Sequence, residues 1–250
     1  MKHFPALEVE VSRGPMVESR HLVDAVVTDA SGAVHSTYGE RSRPVFPRSS
    51  VKALQALVLV ESGAAQRFGL EDRHVALACA SHNGEDIHRQ GAAQMLAACG
   101  QDGGCLECGA HWPKLRADQD RLVIEGREPD ALYNNCSGKH AGFVCHAVHE
   151  GIDPSGYIRA SHPVQRRIAD VLSETTGVRH DVENMGIDGC SIPTYAIPLE
   201  SLARAFARFG VGEGGGARRS AAMGRIRDAR LAHPEMGGGT GSDDTALMSR

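Results

Sequence analysis

The chain has 250 residues, 41% apolar and 23% charged, with a formal net charge of −4, which is the profile of one large globular domain or two small ones. The slight acidity and the lack of any basic run exclude a nucleic-acid footprint, and no apolar stretch approaches the roughly 20 residues of a membrane span. The first eleven residues lack a basic head followed by an apolar run, and seven cysteines make an odd count, so the reading is a reduced, cytoplasmic protein.

Residues 7–39 read as strands, with 23–27 and 33–38 flanking the turn-forming Thr28-Asp29-Ala30-Ser31-Gly32. Ser49 and Ser50 offer hydroxyl caps to a mostly apolar helix over 51–60 that ends near Gly63. Residues 75–79 form a short apolar strand or the tail of a helix. Residues 87–99 read as a helix stopped by Gly100, and 100–135 as polar loop. Residues 139–149 form a helix ending at Gly151, and 163–176 another, opened by Ser161-His162-Pro163 and closed by Gly177. Residues 181–185 lead into a strand-to-turn passage over 186–193. Amphipathic helices over 198–209 and 221–233 are separated by the glycine-rich 210–216, and 242–248 open a further helix. Strands first, then helices and strands mixed, predict an α/β or α+β fold in one domain.

Four lysines stand against twenty-three arginines. An ammonium can lose its proton when buried and act as base or ligand, which a guanidinium effectively never does. Lys2 lies at the terminus and Lys114 in a polar stretch. Lys52 and Lys139 lie in Arg48-Ser49-Ser50-Val51-Lys52 and Asn134-Asn135-Cys136-Ser137-Gly138-Lys139-His140. Ser49 and Lys52, three apart at a helix start, share a face. The helix N-terminus and the apolar residues that follow both lower an ammonium's pKa, and a neutral lysine can take a serine proton. The spacing is equally that of a capping serine with a snorkelling lysine, and both readings stay open.

Cys136 and Cys190 are each followed by serine in glycine- or asparagine-rich turns. With His140 or Asp188 they could form a mixed-ligand zinc site, or they could be two buried cysteines near tight turns. Cys79 and Cys145 read as core residues. The lone Cys105/Cys108 pair reads as a loop feature, and His146 and His149 as core or surface histidines.

Six segments in order resemble the asparaginase II family, the Rhizobium etli type of L-asparaginase. They are Pro47-Arg48-Ser49-Ser50-Val51-Lys52-Ala53-Leu54-Gln55, Cys79-Ala80-Ser81-His82-Asn83-Gly84-Glu85, Cys108-Gly109-Ala110-His111, Asn135-Cys136-Ser137-Gly138-Lys139-His140, Asp188-Gly189-Cys190-Ser191-Ile192-Pro193-Thr194 and His233-Pro234-Glu235-Met236. The resemblance implies hydrolysis of L-asparagine to aspartate and ammonia. The implied fold is like that of serine β-lactamases and glutaminases, an antiparallel sheet flanked by helices, in a homodimer. It implies Ser49 as nucleophile, Lys52 as its base and Ser81 as a relaying hydroxyl. Arg48, Asp188 and His140 would hold the substrate, and Cys136, Lys139 and Cys190 a zinc ion.

The family's next stretch, with a Lys-x-Gly segment forming a second Ser-Lys pair, has no counterpart before Arg250. The resemblance therefore implies that residues 1–250 form one domain lacking its closing strands, poorly active or inactive alone. Two readings compete. One is a glutaminase-like or penicillin-recognising serine acyl enzyme, although no Ser-x-Asn or Lys-Thr-Gly element follows Ser49 in the expected order. The other is a non-catalytic zinc-binding remnant.

Overall fold

A computed structural model describes residues 2–250. The chain opens with five strands: β1 (Lys2–Phe4), β2 (Leu7–Arg13), β3 (Met16–Val23), β4 (Ala25–Thr28) and β5 (Val34–Tyr38). β2 and β3 form a separate antiparallel hairpin. β4 and β5 pair antiparallel, and β1 joins β5 in parallel, giving the sheet order β1-β5-β4. The β4–β5 hairpin is the one expected from the sequence. Its turn is held by the Asp29 carboxylate, which accepts from the Ser31 hydroxyl at 2.5 Å and the Ala33 amide at 3.1 Å.

After β6 (Pro44–Val45), a 3₁₀ turn over Arg48–Val51 runs into α1 (Lys52–Gln55) and α2 (Leu57–Glu61). The single capped helix expected over 51–60 is therefore two short helices entered through a tighter turn. Ser49 and Ser50 lie inside that turn, and no side chain caps it. Every residue over 51–59 is buried. A segment buried on all sides has no solvent stripe, so its period carries no helix signal.

The helical body follows: α3 (Ala64–Arg67), α4 (Asp72–Ala78), α5 (Asp86–Ala98), α6 (Arg116–Ile124), α7 (Ser137–His149) and α8 (Pro163–Thr176). α4 and α5 start alike. His74 Nδ1 accepts from the Glu71 amide and His88 Nδ1 from the Glu85 amide, each at 3.1 Å. These two imidazoles satisfy amides that a helix start leaves unpaired. α8 has the boundaries its proline and glycine punctuation predicts, with His162 Nδ1 accepting from the Val164 amide at 3.2 Å. α6 falls in the stretch expected as loop. Leu122 is its one buried residue, so it has no apolar stripe to read.

α7 is the central element and packs on α2, α4 and α5. Gly138 lets α4 approach: a Cβ there would lie 2.5 Å from the Leu77 carbonyl oxygen. One turn on, a Cβ at Gly142 would lie 3.3 Å from Leu59. The chain closes with β7 (Met185–Ile187), β8 (Pro193–Tyr195), β9 (Ile197–Pro198), α9 (Leu199–Val211), α10 (Gly216–Ala232), α11 (Pro234–Gly237) and α12 (Asp243–Met248). β7 pairs with β8 and β6 with β9, both antiparallel. The architecture is mixed α and β with small sheets, the α+β class expected from the sequence. Among the described residues no helix is long and apolar enough to cross a membrane.

Candidate active site

Lys52 opens α1 with 1% of its surface exposed. Its Nζ donates to the Ala80 carbonyl, to Ser81 Oγ at 2.7 Å and to Cys136 Sγ at 3.2 Å. Ser49 lies in the preceding 3₁₀ turn, where its carbonyl accepts from the Lys52 amide. The hydroxyl that meets the lysine is therefore that of Ser81, twenty-nine residues on. Ser49 and Ser81 both line a cavity of about 210 Å³, together with Ser50, Ala53, Cys79, Arg230, Gly237, Asp244 and Met248. A larger cavity of about 350 Å³, beside Glu61, His146 and Arg167, contains none of these serines or lysines.

Below Lys52 lies a second amine. Lys139, 2% exposed, donates to Cys190 Sγ at 3.0 Å. Cys136 and Cys190 share a hydrogen bond that, with the two lysines, holds the Cys136 thiol far below its usual range and keeps Cys190 protonated. Burial, followed by the proximity of Lys139, lowers the pKa of Lys52. Cys136 is fixed from its own chain, where its amide donates to Asn134 Oδ1 at 2.8 Å. The sequence motifs around residues 136–140 and 188–194 thus converge on one buried cluster.

His140 is fully buried, and its Nδ1 meets the Tyr157 hydroxyl at 2.6 Å. Burial, then the two lysines, holds its pKa far below the ordinary imidazole value, and its Nε2 has no hydrogen-bond partner. Arg48 and Asp188, expected to hold the substrate, bind each other through Nη2 and Oδ1 at 2.9 Å. Burial raises the Asp188 pKa, but the Gly189 amide and Arg48 outweigh it and lower the value overall. Arg48 and Ser191 are the non-glycine residues with positive φ among the described residues, at 48° and 73°. One precedes Ser49 and the other follows Cys190, so left-handed backbone strain is concentrated beside two of the candidate residues.

Cys136 Sγ, Cys190 Sγ and Lys139 Nζ are suited by chemistry to a thiolate-favouring cation such as zinc, which takes sulfur and nitrogen donors. Among the described residues no group of three or more His, Cys, Asp or Glu could hold a metal ion, so a metal here depends on the amine of Lys139. Cys105 and Cys108 are free thiols, pushed by burial up to about 11 and about 12. They stay neutral; Cys105 ends a 3₁₀ turn over Gly103–Cys105 and Cys108 lies in the loop that follows.

Sequence reasoning missed Tyr157, Arg230 and Asp244. Tyr157 lies seventeen residues past the histidine it bonds. Arg230 and Asp244 stand in no motif, and only the cavity joins them to Ser49.

A fold of this class, with a buried lysine bonded to a hydroxyl at a cavity wall, is compatible with hydrolase chemistry. The family model described as L-asparaginase II matches residues 9–250. The chain belongs to that family, and membership supports a hydrolase. No curated protein matches the chain.

Proposed function

We propose that the protein hydrolyses L-asparagine to L-aspartate and ammonia through a serine acyl-enzyme, with Ser49 as nucleophile and the Ser81–Lys52 pair as its proton acceptor. The observation that carries this reading is the shared cavity. Ser49 and Ser81 both open into it, and Ser81 Oγ lies 2.7 Å from the buried Lys52 Nζ. Ser49 Oγ attacks the side-chain amide carbon, and its proton passes to Ser81 while the Ser81 proton passes to a neutral Lys52 amine. The amide C–N bond then breaks, the nitrogen leaves as ammonia carrying the proton returned by this relay, and water releases aspartate from Ser49 by the same path in reverse order. Burial favours the neutral amine of Lys52 that this relay needs.

Arg48 and Asp188 hold the loop that carries Cys190 against the turn that carries Ser49, consistent with a role in shaping the substrate site. His140 supports the floor beneath the lysines. Cys136, Lys139 and Cys190 would hold zinc, which when bound supplies positive charge close to the substrate. The reading includes a cytoplasmic address, supported by seven cysteines that are all free thiols. It also includes a homodimer, supported by family membership.

The test is Ser49→Ala. Ammonia release from L-asparagine is expected to fall by about three orders of magnitude or more, as for loss of a nucleophile elsewhere. A variant that keeps the parent rate removes Ser49 from the chemistry and the reading with it.

A further inference from the structure

The cavity that contains the two serines also contains one guanidinium and one carboxylate. Arg230 comes from the last turns of α10 and Asp244 from the first turn of α12. Arg230 is half-buried, and its Nη2 donates to the Met248 thioether at 3.7 Å. A thioether is a weak acceptor, so a fork of five donors is left nearly unused inside a cavity of about 210 Å³. Asp244, an exposed residue, lines the same cavity and enters no ion pair among the described residues. Charges of opposite sign line one cavity without neutralising each other. Elsewhere Arg219 and Arg225 on α10, for example, close on carboxylates at 2.5 to 3.3 Å.

From this arrangement we infer that Arg230 and Asp244 bind the two charged ends of a free α-amino acid, Arg230 its α-carboxylate and Asp244 its α-ammonium, and so select the substrate. The inference rests on the proposed asparagine hydrolysis. A free amino acid carries both charges at neutral pH, whereas an amide within a peptide carries neither at its backbone. A planar guanidinium matches a carboxylate with two parallel bonds, which orients the ligand as well as holding it. The side-chain amide then extends from the charged pair toward the hydroxyls of Ser49 and Ser81. The cavity is smaller than the roughly 300–1,000 Å³ typical of drug-sized ligands, in keeping with a single small amino acid. Arg48 and Asp188 do not line this cavity, and each already has the other as partner. The pair on α10 and α12 therefore acts in addition to them.

Three amides test the assignment: L-asparagine, succinamate, which lacks the ammonium, and 3-aminopropanamide, which lacks the carboxylate. For Arg230→Gln, kcat/KM is expected to fall at least about tenfold on L-asparagine and succinamate, mainly through KM, and much less on 3-aminopropanamide. For Asp244→Asn the pattern inverts, with L-asparagine and 3-aminopropanamide penalised and succinamate nearly spared. Arg230→Lys, which keeps the charge but loses the fork, should fall between. Misfolding would depress all three substrates alike and would lower the melting temperature, so melts accompany the kinetics. Folded variants that lose equally on all three amides, or lose nothing on L-asparagine, overturn the inference and leave the proposed reaction standing.

Conversely, if Ser49→Ala keeps its activity, the proposed reaction falls, and equilibrium dialysis with labelled L-asparagine decides the inference alone. Binding to the Ser49→Ala protein that is lost in Ser49→Ala/Arg230→Gln supports it, and no binding to either protein overturns it.

Discussion

The β2–β3 hairpin and helix α7 are opposite ways of using apolar residues. Every residue of β2 is exposed, and so is all of β3 except the half-buried Ser19. Leu22 is 74% and Met16 73% exposed. α7 is buried from Ser137 through Ala147 and encloses a lysine and two histidines with its apolar side chains. The hairpin relies on its own backbone ladder and on surface pairs such as Arg20 with Glu10 at 2.9 Å, and exposed pairs contribute little. α7 relies on packing so close that Gly138 admits no side chain and Gly142 admits one only if Leu59 shifts slightly. Close packing and one lysine of the buried lysine–cysteine cluster therefore meet in the same helix, whereas the hairpin packs chiefly on itself.

The sharpest way to test that contrast is Gly138→Ala. The new Cβ would meet the Leu77 carbonyl at 2.5 Å and its side chain at 2.4 Å. Neither can yield without moving α4. The expected cost is about 2–3 kcal/mol, read from denaturant unfolding, with a loss of activity because Lys139 moves with the helix. An unchanged midpoint would mean that α4 and α7 are not in close contact.

A smaller effect should come from acid. Burial holds His82, His88, His140, His146 and His180 below the ordinary imidazole range, His180 down to about 4. Their neutral forms belong to the folded state, so this contribution is complete above the unfolded value of 6.5 and is lost as pH falls toward 4. The melting temperature is expected to drop by about 5 °C or more between pH 7 and pH 5. A flat profile across that interval would show that these imidazoles are not buried neutral. The smallest effect belongs to the hairpin: Leu22→Ser should change folding stability by no more than about 0.5 kcal/mol. A loss above 2 kcal/mol would place the hairpin in the cooperative core after all.

The elements legible in the sequence are those with punctuation. α8 was bounded by His162-Pro163 and Gly177, and the β4–β5 turn by Asp29 and Gly32. α6 escaped because a helix with one buried residue has no face to read. The break between α1 and α2 escaped because complete burial erases periodicity. In the candidate site, the scarcity of lysine pointed to Lys52 and Lys139, the two lysines that are in fact buried. What spacing could not show was partnership. Ser49 stands three residues from Lys52, but the lysine bonds Ser81 and Cys136, which the fold brings from twenty-nine and eighty-four residues away. The same limit hid Arg230 and Asp244.

The two sulfurs of the lysine cluster stand on supports of unequal stiffness. Cys136 immediately precedes α7, whose register against α4 is locked at Gly138. Cys190 hangs in a turn whose next residue, Ser191, is left-handed. When an incoming ligand or a substituted side chain demands room, the turn at 188–192 must supply nearly all of the displacement. Cys136 then serves as the datum from which the geometry of the cluster is set.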